Sequence, residues 1–229
     1  MRNILIIGSS SSIGDSIEKK FINNGDNVIS TYYSSPNFKK NPKATYIKFD
    51  LSLQDSYASL LKIIADNDML DALIILAGIL PGKSIDEYTE PEIEEVLNIN
   101  FISNIHLIKT LTPYLNLNSN IVIMSSIAGL KGSFDPVYAA SKAAQIGLVK
   151  SLALWSKDKY KINAIAPSLI NESTMFYDMT IQRRNFHKDH SPSKKLISKA
   201  QIAQIIFDVC EPNNGYSNGE ILEIDGGNL

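Results

Sequence analysis

The chain has 229 residues, of which 44% are hydrophobic and 20% are charged, a balance typical of a folded globular protein. Its formal net charge of −2 provides no global field that would attract nucleic acid or an acidic membrane surface. The apolar run before Gly8 is too short for a signal-peptide core or a membrane span. A single cysteine, Cys210, excludes an intrachain disulfide and fits a reducing compartment. We therefore expect a cytoplasmic protein with no nucleic-acid partner and no membrane partner.

Short apolar runs alternate with amphipathic stretches along the chain. The apolar runs predict six buried strands, which are Ile4–Ile7, Val28–Thr31, Ala72–Leu76, Ile121–Met124, Lys161–Ile165 and the segment "EILEIDG" near the end. The amphipathic stretches predict helices at about 13–23, 53–66, 90–115, 137–157 and 199–210. This alternation indicates an α/β protein with a doubly wound parallel sheet, a Rossmann fold, in one domain over residues 1–229. Ligands of such sheets bind where the strands end, so the residues after each strand matter most.

The stretch 90–115 carries the clearest helical pattern. Thr89 and Glu92 have the spacing of a capping box, and Pro91 lies in the first turn. We therefore expect this helix to begin directly after Thr89.

A glycine- and serine-rich segment, "IIGSSSSIGDSI", follows the first strand and opens the first helix. Gly8 allows a sharp turn, Gly14 allows the helix to approach the strand, and the intervening amides could cradle a pyrophosphate. A flexible serine-rich loop is the alternative interpretation. A P-loop is excluded because no lysine follows Gly14.

The segment "YAASK" places Lys142 four residues after Tyr138. About one such pair is expected by chance in a chain of this composition, so the spacing alone proves nothing. On a helix the two side chains share one face. A nearby ammonium lowers the pKa of a tyrosine toward the neutral range that acid–base catalysis needs. The residues between them, Ala139, Ala140 and Ser141, are small and leave space beside the pair.

Several further features stand in a fixed order along the chain. They are Gly8 and Gly14, Asp50 in "KFDLS", Ala77–Gly78 in "LAGIL", Asn100 in "LNINF", Ser126, Tyr138 with Lys142, "NAIAPS" and a terminal "IDGG". Together they resemble the short-chain dehydrogenase/reductase family over essentially the whole chain. Within that family they resemble the 3-oxoacyl-(acyl-carrier-protein) reductase-like members.

This resemblance implies a catalytic set of Asn100, Ser126, Tyr138 and Lys142. Ser126 would hydrogen-bond the substrate oxygen, and Asn100 would hold a water that relays protons to Lys142. Ser125 is the neighbouring alternative, and Ser126 is favoured because it directly precedes "IAG". The resemblance also implies a dinucleotide site made of Gly8, Ser10, Ser11, Ser12, Ile13, Tyr32, Ser34, Asp50, Leu51, Ala77, Gly78, Tyr138, Lys142, Pro167, Ser168 and Ile170. For each residue taken alone, an ordinary structural role is favoured: Ser126 as a hydroxyl at the end of a strand, and Asn100 as a helix amide whose hydrogen bonds are already made.

Three positions depart from the family pattern. Ser12 replaces the middle glycine of the turn, where its hydroxyl could bond a phosphate oxygen. Ile75–Leu76 replace two asparagines, and Ser168 stands where the family usually has glycine after Pro167.

The end of the second strand bears on the choice of cofactor. Tyr32 stands where an acidic residue would favour NAD, and Tyr33 stands where a basic residue would favour NADP. Because no carboxylate repels a 2′-phosphate, and Ser34, Ser35 and Lys39 could reach it, we favour NADP, with NAD possible. No metal site is expected, since His187 and His190 have no partners at ligand spacing.

Residues 168–199 form the least patterned stretch, where the family builds its substrate lid. Six basic residues and one acidic residue lie between 183 and 199. This local positive charge favours an anionic or carrier-linked substrate. The alternative is an ordinary solvated helix of the lid.

The predicted function is the NAD(P)-dependent interconversion of a ketone and a secondary alcohol, with Tyr138 as the general acid/base. A catalytically silent dinucleotide-binding sensor or scaffold is the alternative. The resemblance further implies a homodimer or homotetramer paired through the helices at 90–115 and 137–157.

Overall fold

The predicted parallel sheet is present in the computed structural model, which describes residues 1–34, 40–156, 159–212 and 218–227. Seven strands pair in parallel in the order β3-β2-β1-β4-β5-β6-β9. They are β1 Asn3–Ile7, β2 Asn27–Tyr32, β3 Ala44–Lys48, β4 Leu70–Ile75, β5 Leu115–Met124, β6 Tyr160–Pro167 and β9 Ile221–Ile224. The α/β fold with a doubly wound sheet is therefore confirmed. Ser35 and Lys39 lie outside the described residues.

Strand β3 is absent from the six strands that the apolar runs predict. Its sequence, Ala44–Lys48, alternates polar and apolar residues, and only Ile47 is fully buried. The strand lies at the edge of the sheet and pairs only with β2. An edge strand with one buried side chain has no continuous apolar run, which is why the pattern of buried strands misses it.

Helices cover both faces of the sheet. They are α1 Ser12–Asn23, α2 Gln54–Ala65, α3 Glu90–Leu97, α4 Ser103–Leu111, α5 Ala128–Lys131, α6 Pro136–Ser156, α7 Thr174–Asp178, α8 Ile181–His190 and α9 Lys199–Val209. One face of the sheet packs against α2, α4 and α6, and the other packs against α1 and α9. No helix within the described ranges is long and apolar enough to cross a bilayer.

The predicted helix at 90–115 is interrupted. A π-helical turn at Asn98–Ile102 separates α3 from α4, and a 3₁₀ turn follows at Thr112–Tyr114. The predicted start is confirmed, since the backbone N–H of Thr89 donates to the Glu92 carboxylate at 3.0 Å. π turns inside helices are frequent at functional sites, and this one contains Asn100.

Strand order reverses between β1 and β4, which are neighbours in the sheet although β2 and β3 separate them in sequence. Gly8 follows β1 at this switch point, and Ala77–Gly78 lie just beyond β4. The N–H of Leu76 donates to the carbonyl of Ile7 at 2.9 Å. Because the connections leave on opposite faces here, a crevice opens at the carboxyl ends of the strands.

A second, two-stranded parallel sheet lies beside this crevice. It pairs β7 Ile170–Asn171 with β8 Ile197–Ser198, and α7 and α8 lie between them in sequence. The pairing brings the two ends of the predicted lid segment together.

Candidate active site

The glycine- and serine-rich turn packs tightly against the end of β4. Gly8 has a φ of +84°, and a Cβ there would lie 3.0 Å from the backbone nitrogen of Ala77. A Cβ on Gly14 would lie 2.4 Å from the carbonyl oxygen of Ser9. The N-cap Ser11 accepts a hydrogen bond from the Gly14 N–H at 3.1 Å. The turn therefore opens the N-terminus of α1 toward the crevice, as an anion site requires.

The Ser12 hydroxyl, which was expected to be available to a phosphate oxygen, makes a hydrogen bond within the protein. The hydroxyl donates to the carbonyl oxygen of Glu172 at 3.0 Å, across 160 positions of sequence. Glu172 lies just after β7 and has a φ of +58°. The departure from glycine at position 12 thus links the first turn to the base of the lid segment.

A cavity of about 960 Å³ occupies the crevice. Its walls are largely apolar, with Ile79, Leu80, Phe134, Leu169, Met175 and Met179 among them. The predicted site residues that line it are Ser11, Ile13, Gly78, Ser126, Tyr138, Lys142, Pro167, Ser168 and Ile170. The other predicted residues lie outside its lining and are Gly8, Ser10, Ser12, Tyr32, Ser34, Asp50, Leu51, Ala77 and Asn100.

Tyr138 lies at the base of the cavity, only 6% exposed. The Ser126 side chain lies next to its phenol. Ser125 points elsewhere, because its hydroxyl donates to the carbonyl of Lys142 at 3.0 Å. Of the two neighbouring serines, Ser126 is therefore the one beside the phenol.

Burial has the largest effect on the Tyr138 phenol. It raises the pKa of Tyr138 to about 12, while the hydrogen bond with Ser126 lowers that pKa and the charge of Asp135 raises it further. This direction is opposite to the expected lowering by Lys142. The physical reason is that the phenolate would lose its hydration in an apolar cavity.

Lys142 lies beside the phenol and is only 3% exposed. Its Nζ is 5.6 Å from the centroid of the Tyr138 ring and donates to the carbonyl oxygen of Met124 at 2.8 Å. Burial lowers the pKa of the Lys142 ammonium to about 7. Both titratable groups of the site therefore have their pKa values moved by the same loss of water.

Gly78 faces Lys142 and Asn100. A Cβ at this position would lie 3.1 Å from Asn100 Oδ1 and 3.4 Å from Lys142 Nζ. The absence of a side chain there keeps the end of β4 close to both groups. With the open helix N-terminus of α1, the residues present fit a dinucleotide.

Asn100 is fully buried in the π turn. Its amide accepts from the Ile79 N–H at 2.8 Å and donates to the Ile79 carbonyl at 2.9 Å and to the Ser141 hydroxyl at 3.0 Å. Asn100 therefore joins the segment after β4 to α6. Its predicted role in holding a water stays a prediction.

The ends of β2 and β3 form the far part of the crevice. Asp50 follows β3, and its carboxylate accepts from the Ser52 N–H at 2.9 Å and from the Ser52 hydroxyl at 2.7 Å. Tyr32 ends β2, and Lys40 Nζ lies 4.9 Å from the centroid of its ring. The sequence interpretation named Lys39 and missed Lys40.

Asp135 was also missed, and Arg183 was counted among the basic residues of the lid segment without its contact at the cavity. Asp135 directly precedes Pro136, the first residue of α6, and an acid before a proline is a helix-start signal that could have identified it. The Arg183 guanidinium lies 4.9 Å from the centroid of the Phe134 ring, at the cavity wall. That contact joins segments far apart in sequence, so no local pattern predicts it.

The basic side chains of the lid segment partly serve the segment itself. Arg184 donates to the carbonyl of Tyr177 at 2.6 Å, Lys194 donates to the carbonyl of Asp189 at 2.5 Å, and Lys199 lies 3.5 Å from Glu172. Among the described residues, no group of three His, Cys, Asp or Glu side chains is placed to hold a metal ion.

The fold and the crevice define an α/β protein of the dinucleotide-binding class. A family model described as enoyl-(acyl carrier protein) reductase matches residues 7–228. The chain belongs to the short-chain dehydrogenase/reductase family, and this membership makes it an NAD(P)-dependent oxidoreductase.

Relatives in sequence and structure agree with this assignment. The chain is 26% identical to a 3-oxoacyl-(acyl-carrier-protein) reductase of Thermotoga maritima, over 97% of this chain and 96% of the relative. It is 30% identical to a tropinone reductase homolog of Datura stramonium, over 70% of this chain and 63% of the relative. A short-chain dehydrogenase/reductase structure from Brucella melitensis, at 24% identity, superposes with a TM-score of 0.92 over 100% of this chain and 96% of the other. The NADPH-bound structure of a tyrosine-to-phenylalanine variant of ElxO, at 25% identity, superposes with a TM-score of 0.86 over 100% of this chain and 99% of the other.

Replacing the buried lysine should stabilise the protein in a pH-dependent way. Unfolding restores the ordinary Lys142 pKa of 10.5 from about 7, so the unfolded chain binds one more proton between these pH values. The free energy of unfolding of the native protein should therefore rise with pH across this window. Lys142→Met should be more stable below pH 7 by on the order of 2 kcal/mol, and the difference should shrink as the pH approaches 10.

Urea denaturation at several pH values measures this effect. Lys150→Met is the matched control, because it removes an exposed ammonium from the same helix. An equal or lower stability of Lys142→Met at pH 6 would contradict the expected cost of burying the charge.

Proposed function

We propose that this protein interconverts a ketone and a secondary alcohol with Tyr138 as the general acid/base, and that NADP is its preferred cofactor. The observation that carries the proposal is the Tyr138 phenol, buried against Ser126 at the base of an apolar cavity with Lys142 alongside. Such a phenol can give a proton to a substrate oxygen that Ser126 also binds.

The protein side chains divide the work of ketone reduction. Bound NADPH would supply the hydride, with its two electrons, to the carbonyl carbon. The Tyr138 hydroxyl donates its proton to the carbonyl oxygen, which completes the alcohol, and Ser126 orients that oxygen. A pKa of about 12 keeps Tyr138 protonated at neutral pH, so the acid needed for reduction is present. Lys142 would hold the nicotinamide ribose, and its ammonium favours the phenolate that Tyr138 becomes.

The cavity supports an apolar ketone as substrate. Part of its volume of about 960 Å³ would hold the cofactor, and the aliphatic and aromatic side chains on the remaining walls suit an apolar substrate. The Thermotoga relative is named for a 3-oxoacyl chain on a carrier protein, which supports a carrier-linked or thioester substrate. The family model is named for an enoyl reductase, but two hydroxyls converging on one point favour a carbonyl oxygen over a carbon–carbon double bond. Residues 168–199, with α7 and α8 over the cavity, are proposed as the substrate lid.

Tyr138→Phe tests the function directly. Purified protein is mixed with NADPH and a panel of ketones that includes the acetoacetyl thioester of N-acetylcysteamine, and the loss of NADPH absorbance is followed. Removing the proton donor should lower kcat by about 10²–10⁴-fold, while NADPH binding, measured by fluorescence, is retained. Tyr114→Phe, at a tyrosine remote from the cavity, should leave turnover unchanged.

The alternative function makes a different forecast in the same assay. A sensor or scaffold would bind NADPH and consume none with any ketone in the panel. Turnover by Tyr138→Phe equal to that of the native protein would rule out the proposed acid.

Lys40 supports the preference for NADP. Its ammonium lies at the carboxyl end of β2, 4.9 Å from the Tyr32 ring centroid and 5.5 Å from that of Tyr46. This is the part of a doubly wound sheet that receives the adenine ribose, where a cation accommodates the 2′-phosphate. The ElxO neighbour is recorded with NADPH bound.

Lys40→Gln should therefore weaken the binding of NADPH and leave that of NADH nearly unchanged. Losing one charged hydrogen bond to the phosphate should raise Kd for NADPH about 10-fold or more. Lys43→Gln is the control, since this nearby lysine is also exposed. Equal weakening of both cofactors, measured by fluorescence titration, would argue against a 2′-phosphate contact.

The outer face of α6 supports assembly into a homodimer or homotetramer. Ala140, Ala143 and Gly147 are exposed along one stripe of this helix, and Ile105 on α4 is 37% exposed. Small residues permit the close packing of helices from two copies.

We also propose a cytoplasmic location. The single cysteine agrees with a reducing compartment, since burial raises the pKa of the Cys210 thiol to about 12, which makes it unreactive.

Ala143→Glu should convert the assembly to monomers, because a carboxylate would be buried in the paired face. Sedimentation velocity measures the change. Ala58→Glu places the same charge on the exposed face of α2 and should leave the assembly intact. An assembly that survives Ala143→Glu would exclude pairing through α6.

A further inference from the structure

Asp135 lies at the point where the catalytic helix begins. One carboxylate oxygen accepts a hydrogen bond from the backbone N–H of Tyr138 at 2.9 Å, and the Asp135 carbonyl accepts from the Ala139 N–H at 3.0 Å. The first turn of α6 is therefore held by both polar groups of one residue. Because that turn carries Tyr138, the position of the phenol depends on this cap.

The second carboxylate oxygen bonds a different part of the chain. It accepts from the N–H of Gly82 at 2.9 Å and from the N–H of Lys83 at 3.3 Å. The Tyr88 hydroxyl lies 2.9 Å from one carboxylate oxygen and 2.8 Å from the other. Asp135 thus joins the segment between β4 and α3 to the start of α6. Ile79, Leu80, Pro81 and Gly82, all in that segment, line the cavity.

A helix cap alone does not explain this set of contacts. Capping needs one acceptor, and serine, threonine or asparagine would supply it as well. Asp135 is only 2% exposed, and the second oxygen, bound to Gly82 and Lys83, requires a carboxylate, since an asparagine would present an N–H₂ group there. A charge in this buried position is costly unless it is well hydrogen-bonded, and the Asp135 carboxylate receives all of the donors described above.

The charges around Tyr138 are arranged on both sides of it. Asp135 stands three residues before it, directly ahead of the first residue of α6, and Lys142 stands four residues after it within that helix. Ser126 faces the phenol from the end of β5, Tyr88 reaches Asp135 from the segment after β4, and Asp178, Arg183 and His187 of the lid line the same cavity. The negative charge of Asp135 raises the pKa of Tyr138 and so opposes ionisation of the phenol.

We propose that Asp135 is a positioning residue for the reaction: it fixes the Tyr138 phenol and the 79–83 wall of the cavity relative to each other and holds a negative charge near the phenol. This inference rests on the proposed function of Tyr138. It assigns to one buried carboxylate both the geometry and the charge environment of the acid.

Asp135→Asn tests the positioning of the phenol and the effect of the negative charge, apart from simple loss of the helix cap. The amide oxygen can still accept the Tyr138 N–H, but the contacts with Gly82 and Lys83 and the charge are lost. Displacement of the phenol should lower kcat for the acetoacetyl thioester of N-acetylcysteamine about 10–100-fold. In the reverse direction, oxidation of the 3-hydroxy thioester requires the phenolate. The rising limb of its pH profile should move to lower pH by on the order of one unit.

Tyr88→Phe is the comparison variant, because it removes one donor and keeps the carboxylate charge. It should lower kcat several-fold and leave the pH limb in place. A purely structural role would lower thermal stability in both variants and move neither limb. Asp135→Asn with kcat within twofold of native, or with an unmoved limb, overturns the inference.

Hydrogen exchange, followed by mass spectrometry on the peptides spanning 79–88 and 135–142, gives a readout that does not depend on activity. Both peptides should exchange faster in Asp135→Asn, and the first should do so in Tyr88→Phe. If the native protein turns over no ketone, the proposed function fails. Hydrogen exchange still tests whether Asp135 joins the two segments. Unchanged exchange of both peptides in Asp135→Asn would overturn that role. Should Asp135→Asn not fold, native kcat and native exchange in Tyr88→Phe overturn the inference.

Discussion

The burial of Lys142 beside Tyr138 is the interaction on which the rest of the site depends. An ammonium with 3% exposure needs a bonding partner, and the Met124 carbonyl at the end of β5 provides one at 2.8 Å. That bond attaches α6 to the carboxyl edge of the sheet at the height of Ser126. The same loss of water that lowers the pKa of Lys142 to about 7 raises that of Tyr138 to about 12. Burial therefore moves the pKa of Lys142 toward neutrality and that of Tyr138 away from it, and keeping these two groups out of water lowers the stability of the fold.

Several buried polar bonds support this pair from behind. Asn100 in the π turn bonds Ile79 on one side and Ser141 on the other, so the segment after β4 is held to α6 one residue before Lys142. Asp135 makes a similar connection at the start of the helix, through Gly82. Both connections are made by side chains that water does not reach, which gives them definite geometry. A continuous α-helix from 90 to 115 would place Asn100 differently, so the π turn is part of the site.

The lid segment is connected to the glycine- and serine-rich turn by one side-chain hydrogen bond. The Ser12 hydroxyl, at a position where the family usually has glycine, bonds the Glu172 carbonyl at the end of β7. The pairing of β7 with β8 holds the other end of the segment nearby. Between these anchors, the apolar side chains of α7 and the Arg183–Phe134 contact form the outer wall of the cavity. The size and apolar character of that wall come from residues with no recognisable local pattern.

The sequence by itself determined the class of fold, the glycine- and serine-rich turn and the pairing of Tyr138 with Lys142, because these depend on short-range spacing. Apolar runs identified six strands of the main sheet but not β3, whose edge position leaves one buried side chain. The capping box at Thr89 and Glu92 correctly gave the start of α3, whereas the π turn, which responds to packing against α6, has no sequence signal. Only the tertiary structure decided that Ser126 rather than Ser125 meets the phenol, and that Lys40 lies at the end of β2. It also reversed the expected direction of the Tyr138 pKa. The four-residue spacing of Tyr138 and Lys142 predicts a nearby ammonium that would stabilise the phenolate. Burial has the larger effect, and it depends on segments distant in sequence that exclude water from the phenol.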